Sequence, residues 1–303
     1  MNLEKINPVR SNPPRADAAK RTSNGIKFKQ DVDLGCRTSI KIGGRAGYFF
    51  EAGNEEALER IINDSSSFYI LGNGSNLLIK DKTIKKPVVK LGQEFSYVKQ
   101  DDNYLEVGAL TLLSFLIKYC LENNLAGLEN LAGIPASIGG LLCMNASSFA
   151  KDISSCLESV DVIDKKGQPR TFKKDEIVFG YRYSSLEDYI ILRAKFNLSL
   201  GKDLKQRVRS FLSKRLSGQD FSFPSCGCIF KNPSEFSAGY LIEACGLKGL
   251  KKGGAQVSHK HANFIINIGG AKYNDVDYLI KKIKDRVYKK YKLVLSEEIK
   301  RWA

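Results

Sequence analysis

The sequence predicts an α+β protein, on three observations. Its 303 residues suggest about two domains at roughly 150 residues each, enough to bury a large core. With 43% hydrophobic and 27% charged residues, the composition is that of an ordinary globular protein rather than a collagen, coiled-coil or disordered chain. Strand-like runs of branched and aromatic residues recur between amphipathic helical segments. These features exclude a peptide hormone and a disulfide scaffold.

The net charge and the cysteines indicate which binding partners and which cellular compartment to expect. Lys and Arg outnumber Asp and Glu by 48 to 33, giving a net charge of +15, which should attract nucleic acid, anionic lipid or phosphorylated substrates. The N-terminal segment interrupts any signal-peptide core with prolines and charges, and no run approaches ~18 apolar residues. An odd number of cysteines, mostly among apolar neighbours, favours free thiols. We therefore expect a cytoplasmic protein without membrane insertion. The cysteines are Cys36, Cys120, Cys143, Cys156, Cys226, Cys228 and Cys245.

The first half of the chain begins with a polar, proline-containing segment, residues 1–24, predicted to be a flexible arm. Four short strands follow, with one helix between the first two that Asn54 caps and that buries Leu58, Ile61 and Ile62. The predicted strands are Tyr48–Ala52, Phe68–Leu71, Pro87–Leu91 and Tyr104–Val107.

A second helix should follow Thr111 and end near Asn123. Its predicted core stripe is Leu112, Phe115, Leu116 and Tyr119. Strands return between residues 157 and 200, around Val160 and Val162, at Arg170–Phe172 and at Tyr189–Phe196, so a first composite domain should close near Gly201.

The last third predicts a second domain with three helices and a buried strand. The first helix presents Leu204, Val208, Phe211 and Leu212, and the second spans Ala238–Cys245, before the strand Ala262–Ile268. The third helix opens at Asn274 or Asp275. It should bury Val276, Leu279, Ile280, Ile283 and Val287. Its basic face is typical of a solvated helix, and nucleic-acid binding is the weaker interpretation. That face comprises Lys281, Lys282, Lys284, Arg286, Lys289 and Lys290.

Two glycine-rich segments are candidates for binding a dinucleotide. LGNGSNLLI, residues 71–79, follows a predicted strand, and its consecutive backbone N–H groups can converge on an anion; a tight turn between strands is the alternative. GLENLAGIPASIGGLLCMNASSF, residues 127–149, lets backbone approach a ligand and can start a helix whose N-terminus favours pyrophosphate; a packing turn is the alternative here. Neither segment is a Rossmann fingerprint or a P-loop.

Two further motifs place polar side chains in unusual settings. FGYRYSSL sets Arg182 between Tyr181 and Tyr183, either as a surface residue with a stacked stem or as a fixed cation. PSCGCIFKNP contains Cys226 and Cys228, followed by Lys231. A C-x-C pair lacks the spacing of a zinc site, and His259 and His261 add too little for a ligand set, so no metal is expected.

Taken in order, these motifs resemble the UDP-N-acetylenolpyruvoylglucosamine reductase (MurB) family, in its shorter (type II) form. The resemblance covers about residues 35–300. It is carried by TSIKIGGRAGYFFEA, LGNGSNLLI, GLENLAGIPASIGGLLCMNAS, GYRYS, CGCIFKNP and AGYLIEACGLKGLKKGGAQVSHKHANFIINIGGA.

The resemblance implies an FAD-binding fold of the vanillyl-alcohol-oxidase type, with a substrate domain over the flavin. It implies bound FAD, NADPH as reductant, and an enolpyruvyl sugar nucleotide reduced to UDP-N-acetylmuramate. The expected units are an arm (1–24), two FAD-binding subdomains (25–92 and 93–200), a substrate domain (201–292) and a tail returning to the active site (293–303). The expected FAD-binding residues are Leu71, Gly72, Asn73, Gly74, Ser75, Asn76, Leu77, Gly133, Ile134, Pro135, Ser137, Gly139, Gly140, Asn145 and Ala146.

The resemblance also implies three catalytic roles. Arg182 matches the residue that steadies an enolate, and Glu298, in LVLSEEIKRW, matches an acid of the family's LEPEV motif, with Glu297 as the fallback. The family's proton-donating serine is replaced by Cys228. A thiol donates only while protonated. Arg182 and Lys231 should favour the thiolate, so we expect the second half-reaction to weaken at alkaline pH.

Substrate pyrophosphate or carboxylate should contact Lys231 and Asn232, and a monomer is expected. Two rival interpretations are a sugar or lactone oxidase on the same flavin fold and a basic nucleic-acid-binding protein with a degenerate flavin fold. The oxidase would not combine the GYRYS, CGCIFKNP and C-terminal glutamate motifs, and the nucleic-acid binder would be colourless.

Overall fold

The computed structural model describes residues 20–21, 25–101 and 104–303. The predicted flexible arm, residues 1–24, lies outside the described residues except for Lys20–Arg21, which pair as a strand with the next one along the chain. The described residues form three larger sheets, several two-stranded pairs and six α-helices. The domain boundaries given above stay predictions.

The first sheet has the order β1-β2-β3-β6-β4, with β3, β6 and β4 mutually parallel. Between β3 and β4 lies α1 (Glu55–Asn63), where the Asn54 side chain accepts a hydrogen bond from Ala57 N, so the predicted cap is confirmed. Strand β2 was not predicted, because its charged residues mask a weak alternation. The strands are β1 (Lys20–Arg21), β2 (Ile26–Asp33), β3 (Arg45–Ala52), β4 (Tyr69–Ile70), β5 (Leu77–Ile79), which lies outside this sheet, and β6 (Val88–Leu91).

The second sheet has the order β13-β12-β16-β8-β7 and is antiparallel throughout. The strand predicted around Val160 and Val162 is confirmed, and both side chains are fully buried. Its strands are β7 (Val98–Asp101), β8 (Tyr104–Gly108), β12 (Leu157–Ile163), β13 (Pro169–Lys173) and β16 (Ile190–Phe196). The short strands along the same stretch are β9 (Leu125–Ala126), β10 (Ser147–Ser148), β11 (Lys151–Asp152), β14 (Phe179–Gly180), β15 (Tyr183–Ser184) and β17 (Ser199–Leu200).

Two helices pack on the second sheet, α2 (Leu113–Glu122) and α3 (Ile138–Cys143). The predicted buried face of α2 was partly wrong: Leu116 is fully buried, but Leu112 and Phe115 are 44% and 55% exposed. The segment is apolar on more than one side, so helical spacing alone did not identify the face that meets the sheet. The residues that α2 buries are Leu113, Leu116, Ile117 and Cys120.

The third sheet has the order β18-β21-β20-β19, and its core also holds α5 and α6. All five residues predicted to be buried on α6 are fully buried. The helix starts earlier than predicted, because Asp275 accepts a hydrogen bond from Lys272 N and so caps a helix that begins at Tyr273. The elements are α4 (Leu204–Gly218), β18 (Ser225–Cys228), α5 (Ala238–Ala244), β19 (Lys251–Lys252), β20 (Ala255–Val257), β21 (Phe264–Asn267) and α6 (Tyr273–Tyr291).

Helix α4 and the last strand each link segments that are distant in the sequence. Helix α4 packs Val208 into the core of the second sheet. The last strand, β22 (Lys300–Trp302), pairs in parallel with β5, so the C-terminus returns to the strand that follows the first glycine-rich loop. In the described part of the chain, no helix combines the length and apolarity needed to cross a bilayer. Short 3-10 helices occur at Gly35–Arg37, Gln93–Phe95, Glu129–Leu131, Ile153–Cys156, Lys174–Glu176 and Ser185–Asp188.

Candidate active site

The two glycine-rich segments predicted to bind a dinucleotide lie against each other. Residues 71–76 form the loop between β4 and β5. The Asn73 side-chain amide donates a hydrogen bond of 2.6 Å to the carbonyl oxygen of Pro135. A Cβ built on Gly72 would lie 3.1 Å from Ser137 Oγ. The structure therefore places one segment from the first sheet and one from the second on either side of a common surface.

The glycines of these segments divide into two groups. A Cβ on Gly139 would press on Ala109, and one on Gly133 would press on Leu212 of α4, so both glycines permit close packing within the protein. At Gly72 and Gly140, by contrast, only Ser137 Oγ lies within 4 Å of the added Cβ. Bare backbone that faces open space on two adjoining segments can cradle a diphosphate, so the residues present fit FAD.

Gly74 is the glycine whose replacement should cost most. Its φ is +66°, and an added Cβ would lie 2.2 Å from the Arg37 carbonyl oxygen. We expect Gly74→Ala to lower stability by about 1–3 kcal/mol because it combines a left-handed φ with a backbone clash, and to weaken FAD retention. Thermal unfolding and the ratio of flavin to protein absorbance measure both effects.

Gly218→Ala is the matched control. Gly218 lies in α4 with an open Cβ position, so alanine there should be neutral or add up to about 1 kcal/mol of stability. A Gly74→Ala protein that keeps wild-type stability and flavin content would contradict the structural reason given for this glycine.

The other predicted cofactor residues have mixed surroundings. Leu71 is buried and donates from its N–H to Val89 O, and Ala146 N donates to Leu141 O, so both hold the framework. Asn145 is buried with a φ of +40°, and its Nδ2 donates to Gly180 O at 3.1 Å. Its Oδ1 makes no hydrogen bond to any described residue. Asn145 thus joins the second glycine-rich segment to the hairpin that carries Arg182. Ser75, Leu77 and Ile134 lie within the same two segments.

Arg182 occupies the turn of the two-stranded hairpin β14–β15, with a φ of +54°. A non-glycine residue in this region of φ is uncommon and is often found where a side chain has a functional task. Arg182 Nη1 donates to Ser147 Oγ at 2.8 Å. Its Nε lies 2.8 Å from Glu298 Oε1, an ion pair in which the N–H is not aligned on an acceptor. Both side chains are more than four-fifths buried.

Cys228 lies at the end of β18, beside this ion pair. The adjoining Phe230 is fixed by Asn263, whose Oδ1 accepts from Phe230 N at 2.9 Å and whose Nδ2 donates to Phe230 O at 2.8 Å. The charges of Glu298 and Arg182 both act on the Cys228 thiol. The structure thus brings the three predicted catalytic residues together, although they come from three separate parts of the chain.

The tail decides between the two candidate glutamates. Glu298 N donates to Ile229 O at 2.8 Å, and Asn76 Nδ2 donates to Glu298 O at 3.1 Å. The tail thus contacts both the strand of Cys228 and the first glycine-rich loop. Glu297 instead pairs with Lys284 and Arg301. The fallback assignment to Glu297 was therefore wrong, because its carboxylate points to α6 and is already paired.

Arg215 is a site residue that the sequence reasoning missed. It is 9% exposed on α4; its Nε donates to Ala132 O and its Nη2 to Ser148 Oγ. Its charge acts on Cys228 and on Arg182. A signal was available, because position 215 continues the apolar stripe of α4 through Val208 and Phe211. A charged residue on a core-facing stripe points to a buried role.

Lys231 and Asn232 lie next to the hairpin that carries Arg182. Lys231 Nζ donates to Arg182 O at 3.3 Å, and its charge acts on Glu298. Asn232 Oδ1 accepts from Ala238 N, and Asn232 N donates to the Tyr181 hydroxyl. Asn232 is therefore engaged in joining α5 to the Arg182 hairpin. Within the described ranges, no group of three or more His, Cys, Asp or Glu side chains could hold a metal ion.

Burial has the largest effect on the pKa values of Cys228 and Glu298. It raises the pKa of the Cys228 thiol to about 12, and Glu298 adds to this effect, while Arg182 and Arg215 only partly oppose it. Arg182 thus acts on the thiol in the expected direction, but the expectation of a net lowered pKa and a thiolate was wrong because burial outweighs this charge. Burial also raises the pKa of Glu298, against the lowering effects of Arg182 and Lys231. The geometry thus keeps a protonated thiol beside a guanidinium and a carboxyl.

This pKa changes the expected pH dependence. A group with a pKa near 12 stays protonated from pH 7 to 10, so a rate that depends on the Cys228 proton should change less than about threefold over that range. Reoxidation of the reduced flavin by substrate, followed by stopped flow, measures this rate. A loss with a midpoint near the ordinary thiol value of about 8.5 that disappears in Cys228→Ser would contradict the prediction.

Comparison with known proteins matches two parts of the chain to two family models. A family model described as "FAD binding domain" matches residues 46–173. A second, "UDP-N-acetylenolpyruvoylglucosamine reductase, C-terminal domain", matches residues 219–302. The UDP-N-acetylenolpyruvoylglucosamine reductase of Syntrophobacter fumaroxidans is 39% identical over 288 residues, which cover 91% of this chain and 84% of that protein. The chain belongs to the UDP-N-acetylenolpyruvoylglucosamine reductase family.

Two other members give the same result. The enzyme of that name from Carboxydothermus hydrogenoformans is 37% identical over 94% of this chain and 97% of its own length. The crystal structure of UDP-N-acetylenolpyruvylglucosamine reductase (MurB) from Thermus caldophilus superposes with a TM-score of 0.81 at 33% identity, over 92% of this chain and 99% of that one. The predicted family and fold class, an FAD-binding fold followed by a MurB C-terminal domain, are thus confirmed.

Proposed function

We propose that this protein is a UDP-N-acetylmuramate dehydrogenase, which uses NADPH and FAD to reduce the enolpyruvyl group of UDP-N-acetylglucosamine enolpyruvate. Membership of the MurB family supports the reaction. The observation that carries the residue assignment is the convergence of Arg182, Cys228 and Glu298 next to two glycine-rich segments that fit FAD. Reduced FAD, when bound, supplies hydride to the terminal vinyl carbon of the substrate.

The chain's own residues account for the charge that then develops. Addition of hydride to the vinyl carbon leaves an enolate of a carboxylic acid, which needs a fixed cation and a proton donor. Arg182, held by Ser147 and Glu298, supplies the cation. Cys228 Sγ–H supplies the proton to the adjacent carbon, and burial keeps that proton on sulfur until the enolate forms. Glu298, buried and paired with Arg182, polarises the carboxyl group of the substrate and orients the Arg182 guanidinium.

The electrostatics of the cleft suit an anionic substrate. The charges of Arg182 and Lys231 act on Glu298, and the charge of Arg215 acts on Cys228 and Arg182, so the candidate site holds three cations. An excess of positive charge in a cleft of low dielectric constant attracts phosphates and carboxylates. Lys231 is the residue we assign to the pyrophosphate or carboxylate of the substrate, and the backbone around Gly72 and Gly140 to FAD.

The setting proposed for this activity is the cytoplasm, where peptidoglycan precursors are made, and the proposed active unit is a monomer of the short form of the family. Between Arg182 and Cys228 the chain forms a 3-10 helix, the short strands β15 and β17, β16 of the second sheet and α4, which leaves little room for an extra insertion and so supports that form. An oxidase that uses oxygen is not favoured, because the MurB C-terminal domain is present.

Two successive additions test the function. NADPH added under anaerobic conditions should bleach the flavin absorbance of the purified protein, and the enolpyruvyl sugar nucleotide should then restore it with formation of UDP-N-acetylmuramate. A protein whose reduced flavin is reoxidised by oxygen but not by this substrate would contradict the proposal. Colourless protein that binds RNA in a salt-sensitive manner would contradict it as well.

A further inference from the structure

The C-terminal tail carries two consecutive glutamates whose side chains point in opposite directions. Glu298 lies beside Arg182, whereas Glu297 lies against α6. This follows from extended backbone, in which successive side chains alternate between the two sides. A slip of one residue would exchange the two glutamates and remove the carboxyl from the site.

Backbone pairing holds the tail at two short places: β22 pairs with β5 beyond Glu298, and a single bridge holds position 297. Glu297 forms an isolated antiparallel bridge with Phe230. The flanking hydrogen bonds run from Lys231 N to Ser296 O at 2.9 Å and from Glu298 N to Ile229 O at 2.8 Å. Next to the Glu298 carboxyl the backbone is thus held by a single bridge, so side-chain contacts at residues 297 and 301 add to the constraint that β22 places on the register.

Side chains add a further constraint on the register of the tail. Glu297 Oε1 accepts from Lys284 Nζ at 2.5 Å, and its Oε2 accepts from Arg301 Nε at 2.6 Å. Arg301 Nη1 in turn donates to Asp277 Oδ1 at 2.6 Å and to the Tyr273 hydroxyl at 2.9 Å. The tail residues on both sides of Glu298 are thus tied to α6, one at position 297 and the other at position 301.

The network is partly buried, which separates it from an ordinary surface ion pair. The side chains of Asp277, Glu297 and Arg301 are 16%, 19% and 27% exposed. Burial works to raise the pKa of Glu297, but its hydrogen bonds to Arg301 and Lys284 outweigh burial and hold the pKa below its usual value. Glu297 is therefore ionised, and it holds charge-assisted hydrogen bonds, which are stronger than neutral ones.

We propose that Glu297, Arg301 and Asp277 are positioning residues, which fix the register of the tail so that the Glu298 carboxyl lies on Arg182. The inference rests on the proposed function, since it concerns the step in which Glu298 takes part. None of the three residues touches the reacting atoms. They act through the backbone of residues 296–301.

The test is Glu297→Ala, with each half-reaction measured separately by stopped flow. Reduction of the flavin by NADPH does not use Glu298 and should stay within about twofold of wild type, whereas reoxidation by substrate should slow by about 10- to 100-fold, the effect of misplacing a reacting group by roughly 1 Å. Arg301→Ala should give the same result, and the double variant should be no slower than either single variant because both break one network.

Asp285→Ala is the matched control. It removes a carboxylate from α6, the helix that holds Asp277. Asp285 pairs with Lys289 at the exposed surface, so its loss should leave both half-reactions unchanged. Asp277→Asn is a milder variant that should show the same selective slowing if Glu297→Ala does not fold.

Equal slowing of both half-reactions would indicate a purely structural role and overturn the proposal. So would wild-type reoxidation in folded Glu297→Ala, or additive losses in the double variant. Failure of the wild-type protein to turn over the enolpyruvyl substrate would instead remove the proposed function itself. The two failures are therefore distinguishable.

Discussion

Replacing Cys228 with alanine should slow reoxidation of the reduced flavin by the enolpyruvyl substrate by about 10²- to 10⁴-fold, the usual contribution of a general acid. Bleaching of the flavin by NADPH should stay at the wild-type rate, because no proton from Cys228 is needed in that step. The cause is specific: alanine removes the one thiol placed beside both Glu298 and Arg182. Stopped-flow absorbance of the flavin separates the two steps.

Two controls make this result interpretable. Cys228→Ser replaces the thiol with a hydroxyl, so it should retain reoxidation within about tenfold of wild type. Cys226→Ala removes a buried thiol two residues away, and it should lower stability without changing the ratio of the two half-reaction rates. An equal loss of both half-reactions in Cys228→Ala would remove the assignment of Cys228 as proton donor.

The second large effect is expected from Arg182→Lys. Lysine keeps the positive charge but has no planar fork, so it cannot reach Ser147 and Glu298 together as Arg182 does. We expect reoxidation by substrate to fall by about 10²- to 10³-fold, the typical cost of losing one preorganised group that stabilises an oxyanion. Flavin reduction by NADPH and the thermal unfolding temperature should change little.

The matched substitution is Arg170→Lys. Arg170 lies on the exposed strand β13 and pairs only loosely with Asp164, at 3.7 Å, so lysine there should leave every rate unchanged. Wild-type reoxidation in Arg182→Lys would show that charge alone is sufficient. The guanidinium geometry described here would then have no part in the reaction.

Local sequence signals predicted the parts of the site that depend on neighbours along the chain. The two glycine-rich segments stood out through their own chemistry, whereas the catalytic roles of Arg182 and Cys228 came from the resemblance to the MurB family and stay predictions. The cap at Asn54 and the buried face of α6 were predicted for the same reason: an amphipathic helix shows its core face in its periodicity.

Other features depend on contacts between distant segments. The raised pKa of Cys228 arises from burial between elements that are far apart in sequence, so the neighbouring cations suggested the opposite direction. The resemblance already favoured Glu298 over Glu297, but the structural reason lies in the pairing of the tail with the strand of Cys228 and in the contacts of Glu297 with Lys284 and Arg301. Neither the extent of burial nor the register of an isolated bridge is encoded in a local pattern.

The most direct test of the account is a single anaerobic experiment on the wild-type protein. The flavin is first reduced with one equivalent of NADPH, and UDP-N-acetylglucosamine enolpyruvate is then added in deuterated water. Flavin absorbance should then return, and one deuterium should be found on the carbon next to the carboxyl group of the product. Reduced flavin that persists in the presence of this substrate, or a product without deuterium at that carbon, would contradict it.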